Sequence, residues 1–337
     1  MQQNQLVALG LDAEREEEVT RKGLKGKIAR VVRVDRTLVT LRTSSNLVRI
    51  VNSKSTPLIV GDWVVTDDDS TAVRLVRRTE LARRTGQRGD ERQATAANID
   101  LVLVVRALDT AIRLNRLSSL LVIAYDSGAT PLLVLTKADV IVDALTPARE
   151  IASGLGGVDT IAVSTVNGTG LDDLRQRISG KSVVLLGESG AGKSTLTNTL
   201  FGSDALATAT VRRDGQGRHT TTHRELIVIP TGGVIIDTPG VREASSFGDR
   251  EGVERTFADI VAIAAQCRFS NCPHLDTPGC AIDTALYEGR INQERFDSYL
   301  HEVSEREWLE RRVDAKTTSE QKATSRSRTK RLQKDQW

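Results

Sequence analysis

A glycine-rich segment in the second half of the chain carries the residues best suited to chemistry. It fits the pattern G-x-x-x-x-G-K-[ST] without a mismatch and consists of Gly187, Glu188, Ser189, Gly190, Ala191, Gly192, Lys193, Ser194 and Thr195. An apolar run precedes it and a helix-compatible run follows, as the pattern requires. Backbone N–H groups of such a loop point at phosphate oxygens, and the helix N-terminus adds partial positive charge. The segment therefore predicts a nucleotide phosphate site rather than a glycine-rich turn that matches by chance.

Residues of the loop and of a second motif predict a bound Mg²⁺ ion and a contact with the terminal phosphate. Within the loop, Lys193 is expected to bridge the β- and γ-phosphates and Ser194 to bind Mg²⁺. Asp237 closes an apolar run and opens a D-x-x-G motif that ends at Gly240. Its carboxylate would hold Mg²⁺ through water, and the Gly240 N–H would contact the γ-phosphate. D-x-x-G is a weak pattern alone, but it is a strong one at a strand end after a complete phosphate loop.

A third motif indicates which base is bound. It resembles the [NT]-K-x-D guanine signature and consists of Thr136, Lys137, Ala138 and Asp139. The Asp139 carboxylate would accept two hydrogen bonds from guanine, whereas adenine presents an acceptor there, so the motif selects GTP over ATP. Thr136 stands where Asn is usual, and its effect on base affinity stays open at this point, whereas the discrimination would rest with Asp139. Ser164 and Thr165 follow the next apolar run, at the place where guanine's carbonyl oxygen is contacted.

The order of these motifs indicates a circularly permuted domain. Ordinary GTPases present the phosphate loop, then D-x-x-G, then the base signature, whereas here the base signature comes first. The rearrangement leaves the site intact if the original termini were adjacent, as domain termini often are. It also ties whatever follows residue 240 directly to the γ-phosphate contact.

The segment between the phosphate loop and D-x-x-G predicts a switch that Mg²⁺ and the γ-phosphate order. One of Thr220, Thr221 and Thr222 is expected to complete the Mg²⁺ shell. Ras-like enzymes place a water-orienting Gln directly after D-x-x-G, but Val241 stands there in this chain. Two interpretations of His219 stay open: it orients the attacking water, or it is an exposed switch residue.

A cluster of soft ligands lies further along the chain. It contains all three cysteines and one of the four histidines, namely Cys267, Cys272, His274 and Cys280. Three thiolates and one imidazole complete a tetrahedral Zn²⁺ site with no open position, so one structural zinc ion per chain is predicted. The alternative is three buried, reduced cysteines beside a surface histidine.

Short alternating apolar runs predict the first element that must support these sites. Between residues 26 and 78 the runs are Lys27–Val34, Thr37–Arg42, Asn46–Val51, Asp62–Thr66 and Ala72–Val76. Five short strands favour an OB-like β-barrel. The barrel has one aromatic residue, Trp63, and several arginines, among them Arg30, Arg33, Arg42, Arg49 and Arg74. Because platforms for base stacking are missing, any RNA contact would read backbone and shape; the alternative is a solvated sheet face.

A different pattern begins after residues 79–98, which are polar and predict a long connection. Apolar runs now alternate with helical or loop segments and predict a parallel sheet covered on both faces. These runs are Ile99–Val105, Pro131–Leu135, Thr160–Val163, Val183–Leu186, Leu226–Ile229 and Val234–Ile236. Helices are also predicted near the two ends of the chain, over Asp12–Val19 and Gln293–Arg312.

The predicted organisation is multidomain. An OB-like barrel with an N-terminal extension takes residues 1–84, a circularly permuted α/β phosphate-loop GTPase domain 85–247, a zinc-binding and helical domain 248–312, and a basic tail 313–337. From Arg311 to Trp337, nine Lys or Arg stand against three acids. Such a tail is either solvated and disordered or bound to RNA through phosphates.

Composition sets limits on the protein's class. The 337 residues include 47 basic and 44 acidic side chains with a net charge of +3, so any nucleic-acid surface must be local. Each apolar run is shorter than the roughly 18 residues of a membrane span, and Met1–Gly10 lacks the features of a signal peptide. We therefore expect a cytosolic protein without a membrane partner. The sequence requires nothing beyond a monomer.

The barrel, the permuted GTPase and the Cys-x4-Cys-x-His-x5-Cys module together resemble the RsgA/YjeQ family of ribosome-assembly GTPases over about residues 26–312. Further matching segments are Ala96–Asp100, Gly217–Thr222, Asp237–Arg242 and Pro278–Ile282. The resemblance implies hydrolysis of GTP to GDP and phosphate, stimulated by the small ribosomal subunit late in its maturation. It also implies that the barrel and the zinc module contact rRNA and that His219 positions water.

Two other functions stay open at this point. Val241 is compatible with an rRNA-binding module that GTP occupancy gates and in which turnover is incidental. The second alternative is an ATP-dependent phosphotransferase. A preference for ATP over GTP in binding would support it, although Asp139 favours guanine.

Overall fold

A computed structural model describes residues 3–35, 37–67, 71–85, 91–202, 224–237, 250–274, 277–308 and 310–311. Two short helices come first, α1 (Gln3–Ala8) and α2 (Ala13–Arg21). The Asp12 side chain accepts a hydrogen bond from the Arg15 N–H at 3.0 Å, which caps α2. The acidic helix predicted from the sequence is therefore α2, and Asp12 is its cap rather than its first residue.

Five strands follow, where the sequence predicts them. They are β1 (Lys27–Val34), β2 (Leu38–Arg42), β3 (Leu47–Val51), β4 (Trp63–Thr66) and β5 (Ala72–Arg74). All pair antiparallel: β1 with β2 and β4, β2 with β3, and β4 with β5. Alternate apolar side chains form one core, which includes Val31, Val39, Leu41, Val48 and Ile50. A period of two places these residues on the inner face of the sheet.

The prediction of a long connection over residues 79–98 is wrong. Strands β6 (Glu80–Thr85) and β7 (Glu91–Ala97) form an antiparallel hairpin there. Leu81 and Ala96 are buried, and the Thr95 hydroxyl, also buried, donates to the Leu81 carbonyl at 2.9 Å. The hairpin resembles a loop in sequence because most of its residues are polar or small and Leu81 is the one large apolar residue between 80 and 97. The domain boundary proposed at residue 84 falls within it.

The remaining strands build the predicted α/β sheet. They are β8 (Leu101–Ala107), β9 (Thr130–Thr136), β10 (Thr160–Ala162), β11 (Ser182–Leu186), β12 (Arg224–Val228) and β13 (Val234–Asp237). Strands β10, β9, β8, β11 and β13 lie side by side and parallel, whereas β12 is antiparallel to β13. The carboxyl ends of the parallel strands therefore meet at one edge, where open α/β sheets bind their ligands.

Helices cover both faces of this sheet. They are α3 (Leu114–Asp126), α4 (Leu145–Gly154), α5 (Leu171–Ile178) and α6 (Lys193–Phe201). Successive residues of β8 point to opposite faces: Val104 belongs to the same core as Leu117 of α3, and Leu103 to the same core as Leu174 of α5. Burial on both faces explains why the strands are continuous apolar runs.

The barrel and the α/β sheet are continuous. Strand β12 pairs antiparallel with β1 of the barrel, with Arg33 opposite Glu225 and Val34 opposite Arg224. The two parts consequently share one 11-stranded sheet. The sequence does not predict this pairing, because the two strands are far apart in the chain and nothing in either run specifies its neighbour.

A helical module follows the sheet. It contains α7 (Arg250–Thr256), α8 (Ala258–Ala264), α9 (Ala281–Tyr287) and α10 (residues 293–308). Its core includes Val253, Phe257 and Phe296, together with Val122 of α3. Helix α7 approaches α3 closely at Gly252, where a Cβ atom would lie 2.7 Å from the Val122 carbonyl oxygen. The module is therefore packed directly against α3, one of the helices that cover the α/β sheet.

One buried arginine joins the N-terminal parts to the α/β sheet. Arg30 of β1 has no exposed surface, and its guanidinium donates hydrogen bonds to the carbonyl oxygens of Leu9, Gly61 (3.4 Å) and Asn98 (3.1 Å) and to the Ser182 hydroxyl (2.9 Å). Burial, together with the charge of Arg15, lowers the pKa of Arg30 to about 9, so the group remains cationic at neutral pH.

Trp63 completes this junction. Its ring lies 5.2 Å from the Arg30 guanidinium and 5.5 Å from that of Arg15, so two cations approach one buried indole. Arg30 is among the arginines that the sequence predicts to contact RNA or solvent, and for this residue the prediction is wrong because it is buried. Arg30 and Trp63 are both structural, because neither side chain reaches the surface.

Replacement of Arg30 by Met is expected to lower the free energy of unfolding by about 3 kcal/mol, because several buried oxygen atoms lose their donor together. The midpoint of urea unfolding measures the effect. Arg49→Met is the matched control, since Arg49 is exposed on β3 and its loss should change stability by less than about 0.5 kcal/mol. Equal midpoints for the two variants would show that the junction does not hold these parts together.

Candidate functional site

The glycine-rich loop joins β11 to α6 at the carboxyl edge of the sheet. Gly187 has φ 149° and lies against β8, where a Cβ atom would approach the Val105 carbonyl oxygen to 2.3 Å. Gly190 (φ 80°) and Gly192 (φ 86°) also have positive φ, and Gly192 is the N-cap of α6. These backbone conformations strongly favour glycine, so the sequence pattern reflects the curvature of the loop.

Lys193 is the first residue of α6 and lies inside this curve. Its ammonium donates to the carbonyl oxygens of Gly187 at 2.6 Å and Glu188 at 2.5 Å. Ser194, like Thr195, is exposed on the first turn of α6, and Asp237 ends β13, the strand next to β11. The ammonium, the hydroxyl and the carboxylate therefore come to the same edge of the sheet.

The base motif is bonded directly to the phosphate loop. Thr136 ends β9 and is buried, and its hydroxyl donates to the Ala191 carbonyl oxygen at 2.8 Å. A Cβ atom on Gly192 would lie 3.1 Å from the same hydroxyl oxygen, so the two segments are in close contact. The threonine that departs from the usual Asn thus links the two halves of the site.

The rest of the base motif is held by neighbouring loops. The Ala138 N–H donates to the Val163 carbonyl oxygen at 3.0 Å, which places the motif beside the end of β10. The Ser164 hydroxyl donates to the Asp139 carboxylate at 2.5 Å and so orients it. Thr165 is the next residue of that loop and is half-buried. The segments predicted to contact guanine are therefore adjacent in space.

Two residues of the site, Arg106 and Asp109, belong to none of the sequence motifs and are not predicted from the sequence. Arg106, near the end of β8, forms an ion pair with Glu188 of the phosphate loop. Asp109 follows β8 and accepts a hydrogen bond from the Lys137 ammonium at 2.5 Å, while Lys137 itself has φ 59°. A charged residue near the end of an apolar strand was a usable signal for Arg106, because the carboxyl edge of such sheets is where ligands bind.

Several predicted residues lie outside the described residues. They are His219, Thr220, Thr221, Thr222 and Gly240, together with Val241 and the basic tail at 313–337. The predicted water-positioning, switch and γ-phosphate roles rest on the sequence.

The cysteine cluster forms a compact set of donor atoms. Cys267 follows α8, Cys280 caps α9, and Cys272 and His274 lie between them; the four donor atoms are within 4.8 Å of one another. His274 Nδ1 is 3.6 Å from Cys267 Sγ and 3.5 Å from Cys280 Sγ. A tetrahedral ion with zinc-like bond lengths requires a sulfur to nitrogen distance of about 3.6 Å. The four side chains could therefore hold a metal ion through Nδ1 of the histidine.

Local contacts influence the thiols. Burial raises the pKa of Cys280 to about 11, whereas the His274 backbone N–H lowers the pKa of Cys272. Cys267 Sγ accepts a hydrogen bond from the Ala281 N–H at 3.3 Å. Because thiolates are the ligands, metal binding must release protons, and metal affinity should fall as the pH falls.

Comparisons with known proteins agree with this geometry. A family model described as RsgA GTPase matches residues 74–247, just over half of the chain. The small ribosomal subunit biogenesis GTPase RsgA of Streptomyces avermitilis is 40% identical over 330 residues, which cover 94% of this chain and 89% of that protein. The chain belongs to the RsgA family of GTPases. RsgA 2 of Lactiplantibacillus plantarum is 44% identical over 248 residues, covering 71% of this chain and 69% of its own.

Solved structures show the same RsgA fold. YjeQ from Thermotoga maritima matches with a TM-score of 0.64 at 23% identity, over 83% of this chain and 98% of its own. YloQ, described as a circularly permuted GTPase, matches with a TM-score of 0.63 at 23% identity, over 84% of this chain and 96% of its own. The predicted family and fold class are confirmed.

A second family model, described as ABC transporter, matches residues 174–329. This range contains the phosphate loop but excludes the base motif at 136–139, and phosphate loops are common to many nucleotide-binding proteins. Within the described ranges, the structure has no helix that is long and apolar enough to span a membrane.

Replacement of Cys272 by Ser is expected to reduce bound metal from about one ion per chain to a small fraction and to lower the thermal unfolding temperature of the C-terminal helices, because one of four ligands is lost. Elemental analysis and circular dichroism measure both effects. His301→Ala is the control, since this histidine is exposed on α10, does not belong to the cluster and should leave the metal in place. Unchanged metal content in Cys272→Ser would contradict the assignment.

Proposed function

We propose that this protein is a GTPase that binds the small ribosomal subunit and hydrolyses GTP to GDP and phosphate during the subunit's late maturation. The subunit stimulates hydrolysis, and hydrolysis is coupled to release. Membership of the RsgA family and the names of the relatives support this function. The observation that carries it is the hydrogen bond of 2.8 Å from Thr136 to Ala191, because it joins a guanine motif and a phosphate loop into one site.

The phosphate loop would hold the triphosphate through the backbone N–H groups of residues 187–195. Lys193 would neutralise the β- and γ-phosphates, and Ser194 and Asp237 would hold Mg²⁺ together with one threonine of 220–222. Mg²⁺ held there would supply positive charge that offsets the charge of the phosphates. Close placement of Lys193 and Ser194 at the start of α6, with Asp237 on a neighbouring strand, supports these roles.

The base motif would select guanine. Asp139, oriented by Ser164, would accept hydrogen bonds from the guanine N1–H and exocyclic amine. Lys137 and Ala138 would border the base on one side and Thr165 on the other. This assignment disfavours the ATP-dependent phosphotransferase, because adenine would place an acceptor opposite the carboxylate.

Catalysis would rest on residues identified from the sequence. His219 would orient the attacking water, since Val241 has no hydrogen-bonding side chain. The Gly240 N–H would donate to the γ-phosphate and so report whether that phosphate is present.

The shared sheet supports coupling between the ribosome and the nucleotide. Glu225 of β12 lies opposite Arg33 of the barrel on one side and opposite Asp237 of β13 on the other. Strand β12 also begins directly after the predicted switch. A shift of the barrel upon rRNA binding would therefore act on the strands that carry both the switch and a Mg²⁺ ligand.

Ribosomal RNA would contact the barrel through its backbone. Arg42, Arg49 and Arg74 are at least partly exposed and remain candidates, whereas Arg30 is excluded by its burial. The cysteine cluster would hold one structural Zn²⁺ that fixes the helical module for a second rRNA contact. The protein would act as a cytoplasmic monomer, and the basic tail could add phosphate contacts.

The enzyme is expected to hydrolyse GTP slowly alone and much faster with small ribosomal subunits, whereas ATP should be a poor substrate. His219→Ala is expected to lower the stimulated rate by about a hundredfold or more while GTP binding persists. Steady-state phosphate release measures the rates, and co-sedimentation measures release from the subunit. Normal release with hydrolysis abolished would favour the alternative, a GTP-gated rRNA-binding module with incidental turnover.

Thr136→Val is expected to weaken GDP and GTP binding by about tenfold, because the buried Ala191 carbonyl oxygen loses its donor. Thr136→Asn supplies an amide donor at the same place and should bind within about threefold of the original protein. Competition with a fluorescent guanine nucleotide measures both. Identical affinities for the Val and Asn variants would show that the hydrogen bond does not support the site.

A further inference from the structure

The phosphate loop contains a negative charge where electrostatics disfavours one. Glu188 is the second residue of the loop, and its side chain is 47% exposed. A carboxylate beside the polyphosphate of a nucleotide raises the free energy of the bound anion, because like charges repel at short range. The motif leaves this position unspecified, so the pattern does not explain why a glutamate is tolerated there.

Arg106 compensates this charge. Its Nη1 donates to Oε2 of Glu188, and its Nη2 donates to the Ala111 carbonyl oxygen at 2.5 Å. The Arg106 side chain is only 14% exposed. Val104 of β8 lies opposite Leu186 of β11, so Arg106 extends from the strand beside the loop. The guanidinium is thus fixed on one side by a carboxylate and on the other by the backbone.

The contact also reaches the catalytic lysine. The Glu188 carbonyl oxygen accepts a hydrogen bond from the Lys193 ammonium at 2.5 Å. Arg106 holds the side chain of the same residue, so it restrains the peptide against which Lys193 is placed. The backbone contact at Ala111 lies in the loop that also carries Asp109, the partner of Lys137.

Other cations border the same carboxylate and provide a comparison. A small cavity of about 10 Å³ is lined by Val105, Arg106, Arg113, Arg116, Leu117, Leu120 and Glu188. Arg113 and Arg116 are exposed, in contrast to Arg106. If the positive charge of this region simply attracts an anionic ligand, all three arginines should contribute to binding. If Glu188 must be neutralised, binding should depend mainly on Arg106, which pairs with it.

We propose that Arg106 is a positioning residue of the nucleotide site, which binds Glu188 so that the loop's own carboxylate neither repels the phosphates nor displaces Lys193. The proposal rests on the nucleotide binding proposed above. Arg106 acts on GDP and GTP alike, because both carry the phosphates that the loop surrounds. Its loss therefore raises KM more than it changes kcat.

The test is a set of substitutions measured by calorimetric titration with GDP and with a non-hydrolysable GTP analogue. Arg106→Gln removes the charge and keeps a donor for Ala111, and it should weaken both ligands by about tenfold. Glu188→Gln alone should bind both ligands at least as tightly as the original protein, because the carboxylate is removed and the charge of Arg106 remains. The double variant should recover most of the lost affinity, because the charge that Arg106 neutralises is gone.

Three further variants separate this role from others. Arg106→Lys keeps the charge and should bind within about threefold of the original, so an affinity as low as that of Arg106→Gln would overturn the proposal. Arg113→Gln and Arg116→Gln remove the same charge nearby and should each change affinity less than about twofold at 0.15 M salt, because exposed charges are screened. Losses equal to that of Arg106→Gln would assign the effect to the general positive field instead.

These measurements test the proposed function and the role of Arg106 separately. If the original protein binds neither GDP nor the analogue, the proposed function fails. If the original protein binds both and Arg106→Gln binds them equally well, or if Glu188→Gln does not restore affinity to a weakened Arg106→Gln, the positioning role of Arg106 is wrong while the GTPase function stands.

Discussion

A single buried guanidinium holds together parts of the chain that are distant in sequence. Arg30 bonds the end of α1, the segment before β4, the residue after β7 and the first residue of β11. A charge without solvent is costly unless its donors are satisfied, so each of these segments must keep its place for the arginine to remain there. The N-terminal helices, the barrel and the GTPase sheet are consequently fixed relative to one another, and the strand that leads to the phosphate loop begins at this junction.

In the nucleotide site, too, side-chain contacts join segments that are distant in sequence. Thr136 ties the base motif to the phosphate loop by a buried hydrogen bond, and Arg106 ties the loop to the end of β8 by an ion pair. Both contacts connect neighbouring strand ends, so the site's geometry follows from the strand order of the parallel sheet. Circular permutation is tolerated for the same reason, because these contacts depend on which strands are adjacent and not on which comes first.

The sequence predicts those features that residue type alone determines. Glycines with positive φ, a lysine at a helix start and donor atoms spaced as in the Cys267–Cys280 segment all follow from short patterns. The burial of Arg30 and the pairing of β1 with β12 depend on partners far away in the chain, so local patterns carry no signal for them. The β6–β7 hairpin is local, but its polar composition resembles that of a loop. Arg106 and Asp109 are intermediate cases. Their position near the end of an apolar strand can be predicted from the sequence, but only the structure shows that they pair with Glu188 and Lys137.

The continuity of the sheet also governs how the protein can be divided. Strand β12 pairs with β13 on one side, and on the other side its first two residues, Arg224 and Glu225, pair with β1. A GTPase domain cut free of the barrel would therefore lose the strand that pairs with this end of β12. Unpaired strand edges recruit further strands and promote aggregation. The barrel thus covers the beginning of the edge strand, and a separated GTPase domain would be more prone to aggregate at that end.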